Sequence, residues 1–361
     1  MKKLLYITDK FENEQHSAID SIFNKFLKKY YDISLVYFTK KGNYTKELNR
    51  HIIPYHERKH INRYMNLAQF DILIVRNHFE ITQKILKYKN ANQKVGMQIS
   101  FPHSFRRYYE AKVVNRSIFR KAIEYNYKSY IEKSIINRCD FYLPISQTMV
   151  DEFYKDTTTP YMILPLGIDP NSIIKPKESK SSSTLKIIYI GTIDKLRRFD
   201  MVIDSLIPFK NRDWILDIYS MDRKNFEKSI KEELREKITY KGFLLRDELL
   251  KRVGEYDIGM FLLPESRLYK VASPTKVMEY YQMGIPAIMS YIPECEELFD
   301  ESCGFFAHFN TSSIEDNFKR VLNTPKSTLI EMGRKGQERL IKSRNYKTIS
   351  DSLYSFLEDI K

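Results

Sequence analysis

The stretch from residue 273 to 290, SPTKVMEYYQMGIPAIMS, contains signals for a loop, a helix and a strand in close succession. Ser273 is a favoured residue for capping a helix N-terminus, and Pro274 fits the first helical position, where its missing N–H is no loss. Gly284 can adopt the left-handed conformation that ends a helix. The pattern therefore predicts a helix over 274–283 and a short buried strand over 285–290.

The start of this helix is a candidate anion site. A helix N-terminus offers free N–H groups and the positive end of its dipole, and Lys276 in the first turn adds a full charge. Glu279 lies three residues later on the same face, at about the distance that separates a ribose from its diphosphate. The alternative is a surface helix whose Lys and Glu form an ion pair, and the local pattern leaves both interpretations open.

Short apolar runs alternate with amphipathic segments along the rest of the chain. The runs lie at 2–8, 32–38, 70–76, 94–100, 140–146, 185–192, 214–220, 238–243, 257–263 and 285–290. This alternation predicts parallel sheets covered by helices, and its restart after 165–173 predicts two doubly wound α/β domains that face one another. Ligands of open α/β sheets bind beyond the carboxyl ends of the strands, so candidate site residues should follow these runs.

Length and composition predict a globular protein. The chain has 361 residues, of which 42% are hydrophobic, and no apolar run approaches the roughly 20 residues of a membrane helix. We therefore expect a cytosolic protein whose three cysteines are reduced and form no metal site. The tract KESKSSST at 177–184 is typical of a linker.

The net charge is concentrated in the first half of the chain. Residues 1–170 carry 28 Lys and Arg against 17 Asp and Glu, so +11 of the net charge of +14 lies there. The densest part, 104–134, mixes Arg and Lys with Tyr and Phe at roughly helical spacing. A solvated helix face, a membrane-surface patch and a nucleic-acid site are the three interpretations of this segment, and no nucleic-acid-binding motif accompanies it.

Five segments of the chain together carry a family resemblance. They are PISQTMVDEF, ILPLGIDP, IIYIGTIDKLRRFDMVIDSL, YKGFLLRDELLKRVGEYDIGMFLLP and SPTKVMEYYQMGIPAIMS, the last of which is followed by CGFF. Their order and spacing resemble the retaining glycosyltransferases of family 4 over most of residues 135–310. The resemblance implies the GT-B fold, with two Rossmann-like domains facing a cleft. It places an acceptor-binding domain at 1–170, a nucleotide-sugar donor domain at 171–344, and a helix that crosses back to the first domain at 345–361.

The resemblance assigns donor-binding roles to the second domain. Glu279 matches the family's ribose-binding Glu, whose carboxylate accepts hydrogen bonds from two adjacent hydroxyls. Arg198 stands where the family usually has the Lys that pairs with the donor diphosphate, and Arg197 is its neighbour. The first helical turn completes the predicted site with Ser273, Pro274, Thr275 and Lys276. Because cations and helix N–H groups stabilise the leaving diphosphate, the resemblance implies a reaction that needs no metal or other cofactor.

Two residues are candidates for acting near the donor sugar. His103 matches the family's His after the fourth strand of the first domain, although a lone His is more often structural. Many relatives carry a Glu eight positions before the ribose-binding one, where this chain has Val271. Glu265 is the nearest carboxylate that could approach the sugar instead, and a solvent-facing loop charge is the alternative.

The function implied by the resemblance is sugar transfer from a nucleotide-sugar donor to an acceptor, with retention of configuration. A lipid-linked or surface-polysaccharide glycan at the inner face of the plasma membrane is the expected acceptor, and no nucleic acid is expected as a partner. The predicted acceptor or membrane patch comprises Arg106, Arg107, Lys112, Arg116 and Arg120, with Phe105, Tyr108, Tyr109 and Phe119 at the lipid interface. A nucleotide-sugar 2-epimerase of GT-B fold and a non-catalytic protein that binds a membrane or polyanion remain alternatives.

Overall fold

The computed structural model describes residues 1–174 and 183–360. The predicted linker at 177–184 lies outside these residues except for its last two positions. The chain divides into two compact units. The first comprises Met1–Leu166 together with Tyr346–Lys361, and the second comprises Gly167–Asn345.

The first unit is built on one large sheet. Its strands are β1 (Lys3–Phe11), β2 (Asp32–Thr39), β3 (Thr45–Glu47), β4 (Arg50–Pro54), β5 (Ile72–Arg76), β6 (Lys94–Ile99) and β7 (Phe141–Pro144). They lie in the order β3-β4-β2-β1-β5-β6-β7, and every neighbouring pair is parallel except β3 with β4. The connections reverse direction between β1 and β5, where open sheets of this kind bind their ligands.

The last helix of the chain, Tyr346–Asp359, belongs to the first unit. The ring of Tyr354 stacks on that of Tyr30 at a centroid distance of 3.8 Å, and the Tyr346 hydroxyl lies 3.1 Å from the hydroxyl of Ser17. Leu353 of this helix is fully buried. The apolar face of the helix therefore completes the core of the unit in which the chain begins.

The second unit contains a separate sheet. Its strands are β8 (Leu185–Ile190), β9 (Trp214–Tyr219), β10 (Ile238–Gly242), β11 (Ile258–Phe261), β12 (Ala287–Ser290) and β13 (Phe305–Ala307). They lie in the order β10-β9-β8-β11-β12-β13, all parallel, so the reversal falls between β8 and β11. Tyr280 joins these two strands, since its hydroxyl accepts from the Ile190 N–H and donates to the Met260 carbonyl, both at 3.2 Å.

All ten predicted strands are confirmed, with small shifts at their ends. Sequence patterns missed β3, β4 and β13. The three residues of β3 are exposed and polar, and β13 has only three residues, so neither shows the apolar alternation or length by which a strand is recognised. Strong periodicity thus predicted the central strands, while the short strands depend on their neighbours in the sheet.

Helices cover both sheets. The α-helices are α1 (Phe79–Tyr88), α2 (His103–Val113), α3 (Ile118–Ile136), α4 (Gln147–Met149), α5 (Phe199–Asp204), α6 (Arg223–Ser229), α7 (Arg246–Val253), α8 (Arg267–Lys270), α9 (Thr275–Gln282), α10 (Pro293–Leu298), α11 (Thr311–Asn323), α12 (Lys326–Ser343) and α13 (Tyr346–Asp359). Helical segments of tighter or wider pitch span Ile19–Phe26, Leu27–Lys29, Tyr55–Arg63, Leu67–Gln69, Val150–Tyr154, Pro170–Ser172, Ile207–Phe209 and Glu232–Leu234. Within residues 1–174 and 183–360, none of the helices combines the length and apolar character needed to span a bilayer.

Candidate active site

The carboxyl end of β8 carries the two arginines predicted to contact a diphosphate. Arg197 lies against Gly191, where an added Cβ would come within 3.2 Å of the guanidinium. Its neighbour Arg198 is exposed and has a left-handed backbone, with φ of +48°, at the start of α5. The guanidinium of Arg197 also interacts electrostatically with Tyr269, in the short helix α8 that follows β11. The structure therefore favours Arg197, rather than Arg198, as the cation nearest the strand ends.

The helix predicted at 274–283 is α9, and its start differs from the prediction. Pro274 is the capping residue and Thr275 begins the helix, so the prediction that Ser273 caps the helix is wrong. The Ser273 hydroxyl instead donates to the Glu294 carboxylate at 2.9 Å. The predicted helix end is confirmed, since Gly284 has a φ of +71°. The first turn still presents its N–H groups with Lys276 beside them.

Glu279 lies in an ion cluster. Its two carboxylate oxygens accept from different cations, with Oε1 at 3.2 Å from Arg246 Nε and Oε2 at 2.7 Å from Lys276 Nζ. The residue is only 3% exposed. Glu279 therefore belongs to the packed interior, and removing its carboxylate would leave two cations unpaired.

Arg246 is the residue of this cluster that sequence reasoning missed. It begins α7, just beyond the carboxyl end of β10, and its side chain is 24% exposed. Its position after a strand, in the segment GFLLRD, was the available signal. The cluster therefore contains two partly exposed cations, Arg246 and Lys276, and one buried carboxylate, that of Glu279. It keeps a net positive charge beside the start of α9.

A second carboxylate supports the turn before α9. Glu294, in α10, is buried and accepts from Ser273, and its Oε1 lies 3.6 Å from Arg344 Nε. Burial raises the pKa of Glu294 to about 7, although Arg344 and Ser273 both act to lower it. A change in the protonation of Glu294 therefore acts on the hydrogen bond that holds Ser273 in the turn before α9.

Glu265, the residue of the second unit predicted to act near the donor sugar, contacts different partners from those of the Glu279 ion cluster. Glu265 is half exposed, and its Oε1 contacts His308 Nδ1 at 2.7 Å and the Phe309 N–H at 3.3 Å. His308 follows β13 and stacks on Tyr291, a partner that sequence reasoning did not identify. Val271, eight positions before Glu279, is buried in the core.

The carboxyl edge of the first sheet holds a buried polar network. Arg76, at the end of β5, donates to Asp9 Oδ1 at 2.5 Å and to Ser100 Oγ at 3.0 Å. Asn77, whose φ is +56°, donates to Asp9 Oδ2 and to Ser100 Oγ, both at 2.7 Å. Burial acts to raise the pKa of Asp9, but the charges of Arg76 and Lys10 and the hydrogen bond from Asn77 together outweigh it, so this pKa lies below its usual range.

His16 closes the same network. Burial, and then the charge of Arg76, lower the pKa of His16 well below its usual value, so the ring is neutral. Its Nε2 lies 3.0 Å from Arg76 Nη2 and must accept, because a guanidinium only donates. The ring hydrogen is therefore on Nδ1, which is buried without a partner. Arg76 is thus enclosed by acceptors on several sides.

His103, predicted to act near the donor sugar, is the first residue of α2 and remains exposed. Loss of hydration around the ring lowers its pKa, and the positive charges of Arg106 and Arg107 act in the same direction. His78, at the end of the neighbouring strand β5, is more enclosed, and burial lowers its pKa to about 4. Both rings are therefore neutral at pH 7.

The predicted basic patch is only partly as expected. Arg107, Lys112, Arg116 and Arg120 are exposed, as is Arg106, which pairs with Glu110 at 2.6 Å. Phe105, predicted to face a lipid interface, is instead buried against Phe153 at a ring distance of 5.1 Å. Tyr108 stacks on Tyr125 and is half buried. Only Phe119 of the predicted aromatics is strongly exposed.

Metal-binding chemistry has no counterpart in the described part of the chain. Among residues 1–174 and 183–360, no group of three or more His, Cys, Asp or Glu side chains is arranged to hold a metal ion. The three cysteines, Cys139, Cys295 and Cys303, are buried free thiols.

The arrangement of both sheets is shared with known structures. A sucrose-phosphate synthase from Thermosynechococcus elongatus has a TM-score of 0.76 at 10% identity, over 99% of this chain and 98% of that chain. The chain has the GT-B fold. HepE from Anabaena, solved with UDP and glucose, has a TM-score of 0.72 at 10% identity, over 99% and 100% of the two chains.

A third GT-B structure, of trehalose-6-phosphate synthase, comes from work on glycosyltransfer with retention and has a TM-score of 0.69 at 12% identity, over 99% of each chain. No protein-family model matches the chain, and no curated protein matches it. At such low identity the likeness establishes the GT-B fold, which confirms the fold predicted from the strand and motif pattern.

Proposed function

We propose that this GT-B protein transfers a sugar from a nucleotide-sugar donor to a glycan or lipid-linked acceptor, with retention of configuration. The observation that carries the proposal is the carboxyl edge of the second sheet. There Arg197 lies over Gly191 at the end of β8, and the first turn of α9 brings Lys276 next to the Glu279–Arg246 pair. Such a set of cations and helix N–H groups suits a nucleoside diphosphate.

In this proposal the donor is held by its nucleoside diphosphate. Arg197 and Arg198 and the turn of Ser273, Pro274, Thr275 and Lys276 bind the diphosphate. Glu279 accepts from the ribose hydroxyls, which replace one of its two cations as partners. Arg246 or Lys276, once released, then turns its charge toward the phosphate oxygens.

The chemical step breaks the bond between the sugar C1 and the diphosphate oxygen and forms a bond from C1 to the oxygen of an acceptor hydroxyl, whose proton passes to the departing diphosphate oxygen. Negative charge develops on the leaving diphosphate, and the cations just described stabilise it, so the reaction needs no metal. His103 and Glu265 act on the sugar side. A neutral imidazole, as the lowered pKa of His103 provides, can accept a hydrogen bond from a sugar hydroxyl at pH 7.

The acceptor belongs to the first unit in this proposal, at the cytoplasmic face of the plasma membrane. Arg106, Arg107, Lys112, Arg116 and Arg120 supply positive charge on an exposed surface of that unit. The fold neighbours support the donor class: HepE was solved with UDP and glucose, and the work on trehalose-6-phosphate synthase concerns transfer with retention.

A thermal-shift screen with UDP, GDP, ADP, CMP and their sugar conjugates tests the proposal. A ligand that binds the native state raises the melting temperature, and we expect one nucleoside diphosphate to do so without added metal and in the presence of EDTA. Slow release of free sugar from the matching donor, without acceptor, should follow. Stabilisation that requires Mg²⁺ would contradict the metal-independent reaction, and no stabilisation by any nucleotide would contradict the transferase itself.

A further inference from the structure

The outer face of α3 is apolar where a solvated helix would be polar. The exposed positions of this helix are 119, 120, 123, 126, 127, 130 and 134, which lie on one side at helical spacing. Four of them are Phe119, Ile123, Tyr127 and Tyr130, with exposed fractions of 80, 56, 66 and 74%. They form a ridge about 16 Å long, given a rise of about 1.5 Å per residue. Exposed apolar residues are normally scattered, so a continuous ridge indicates a binding surface.

The carboxylates of α3 lie away from this ridge and are engaged. Glu124 accepts from Lys121 at 2.7 Å and from Lys128 at 2.5 Å on the flank of the helix. Glu132 is partly buried and contacts the hydroxyls of Ser104 and Tyr154. The ridge therefore presents no negative charge to a partner.

Positive charge surrounds the N-terminal end of the ridge. The last turn of α2 exposes Lys112, the turn between α2 and α3 exposes Arg116, and Arg120 follows in the first turn of α3. Among the residues that the structure describes, none of these three forms an ion pair. Val113, the last residue of α2, and Val114, which follows it, are also exposed and continue the apolar surface beyond α3.

We propose that this surface, the ridge of α3 with the 112–117 turn, docks the protein onto an anionic lipid bilayer. Phe119, Ile123 and the valines enter the region below the headgroups, while the tyrosine hydroxyls stay at the polar interface. Lys112, Arg116 and Arg120 meet the anionic headgroups. A nucleic acid would use the cations but leave the aliphatic residues exposed to water, which is why the lipid fits better.

This surface specifies which part of the protein makes the membrane attachment proposed above. It replaces the aromatic residues predicted from the sequence, because Phe105 is buried and the ridge of α3 provides the apolar contacts. It does not depend on the transferase chemistry. The donor residues all belong to the second unit, so nucleotide binding and vesicle binding can fail separately.

Co-sedimentation with vesicles tests the docking surface. With equal parts of phosphatidylcholine and phosphatidylglycerol, the protein should bind at low salt and more weakly at high salt, and pure phosphatidylcholine should bind far less. The triple variant Phe119→Ser, Ile123→Ser, Tyr127→Ser keeps every charge and should reduce binding at least tenfold. The double variant Arg116→Gln, Arg120→Gln should reduce it about tenfold and weaken the salt dependence.

A matched control uses exposed apolar residues elsewhere in the first unit. Leu48→Ser with Tyr88→Ser should leave vesicle binding unchanged, because both side chains lie outside the ridge. In a Phe119→Trp variant the new indole should shift its emission to the blue on anionic vesicles, whereas Trp214 is fully buried and should not respond. Unchanged melting temperatures would show that the variants fold.

Four results would overturn the inference. The protein could fail to bind the anionic vesicles at low salt, or the triple serine variant could bind them as well as the unchanged protein does. Binding could also be abolished by competing DNA while the Phe119→Trp emission stays unshifted, which would indicate a polyanion site. A concentration-dependent dimer in sedimentation velocity that the triple variant loses, without vesicle binding, would assign the ridge to self-association.

Discussion

The carboxyl edges of both sheets contain cationic side chains, but the two edges differ in how these cations are paired and how far they are exposed. In the first unit, Arg76 is buried and surrounded by Asp9, Ser100 and His16, all of which bond to it. In the second unit, Arg246 and Lys276 are 24% and 30% exposed and share one carboxylate. The first edge thus neutralises its cation within the fold, while the second keeps an excess of partly hydrated cations.

This difference explains why the second edge suits an anionic ligand. The Arg76 guanidinium cannot turn to a phosphate without breaking its buried ion pair with Asp9, which is strongly unfavourable. Cations at a partly exposed edge can exchange partners at small cost, because water replaces the contact that is lost. The same residue types therefore serve structure in one unit and, in our proposal, ligand binding in the other.

The largest expected effect is a loss of local stability in the first unit when the buried ion pair of Arg76 with Asp9 is broken. Arg76→Met leaves Asp9 buried without its main partner and should lower the local free energy of unfolding by about 3 kcal/mol. Hydrogen exchange of β1 and β5 amides would then be about a hundredfold faster. The pair of the exposed Arg63 with the partly buried Glu57 is the control, and Arg63→Met should change exchange very little. A matching loss of nucleotide affinity in Arg76→Met would contradict the separation of roles between the edges.

The next effect concerns the pH dependence of the second unit. The folded pKa of Glu294 is raised from 4.5 to about 7, so the stability of its neutral form is full below about pH 4.5 and is lost as the pH rises to about 7. Glu294→Gln should remove this loss, so its stability relative to the unchanged protein should rise by about 3 kcal/mol across that window.

Urea titrations followed by the fluorescence of Trp214, buried in the same unit, measure the effect of Glu294. The control is Glu297→Gln, because Glu297 is exposed and lies 3.0 Å from the same Arg344. Parallel pH profiles for the Glu294→Gln variant and the unchanged protein would show that the pKa of Glu294 does not change on folding, which would contradict the prediction.

Ligand binding tests the second edge directly. Glu279→Gln keeps the shape of the side chain but removes the charge that accepts from ribose hydroxyls, so affinity for the nucleoside diphosphate should fall at least tenfold. Affinity for inorganic diphosphate, which has no ribose, should not fall. Calorimetry on both ligands measures this, with the exposed Glu236→Gln as control. An equal loss for both ligands would assign Glu279 to the phosphates, through Lys276 and Arg246.

The smallest expected effect is a difference in nucleotide affinity between variants of the two neighbouring arginines, Arg197 and Arg198. Arg197→Gln should weaken binding of the nucleoside diphosphate about fivefold, and more than that of the monophosphate, because its guanidinium lies at the end of β8. Arg198→Gln should change either affinity by less than about twofold, as expected for an exposed charge. The reverse order would show that Arg198 turns inward when the ligand binds.

The sequence by itself determined the fold and the identity of most candidate residues. Apolar runs at regular intervals predicted the ten main strands, because buried parallel strands must be apolar on both faces. The order of the motifs indicated the GT-B fold, and Gly284 marked the end of α9 since few other residues adopt a positive φ. These features are local, and a chain can encode them without reference to distant residues.

Only the tertiary structure decided which charges lie together and which faces are exposed. Arg246 and Glu279 are 33 residues apart, so no local spacing could pair them. Ser273 bonds to Glu294 instead of capping α9, and Phe105 is buried while Phe119 is exposed on the neighbouring helix. Helical periodicity shows which residues share a face but not which face packs against the rest of the protein, because that depends on the neighbouring elements brought there by the fold.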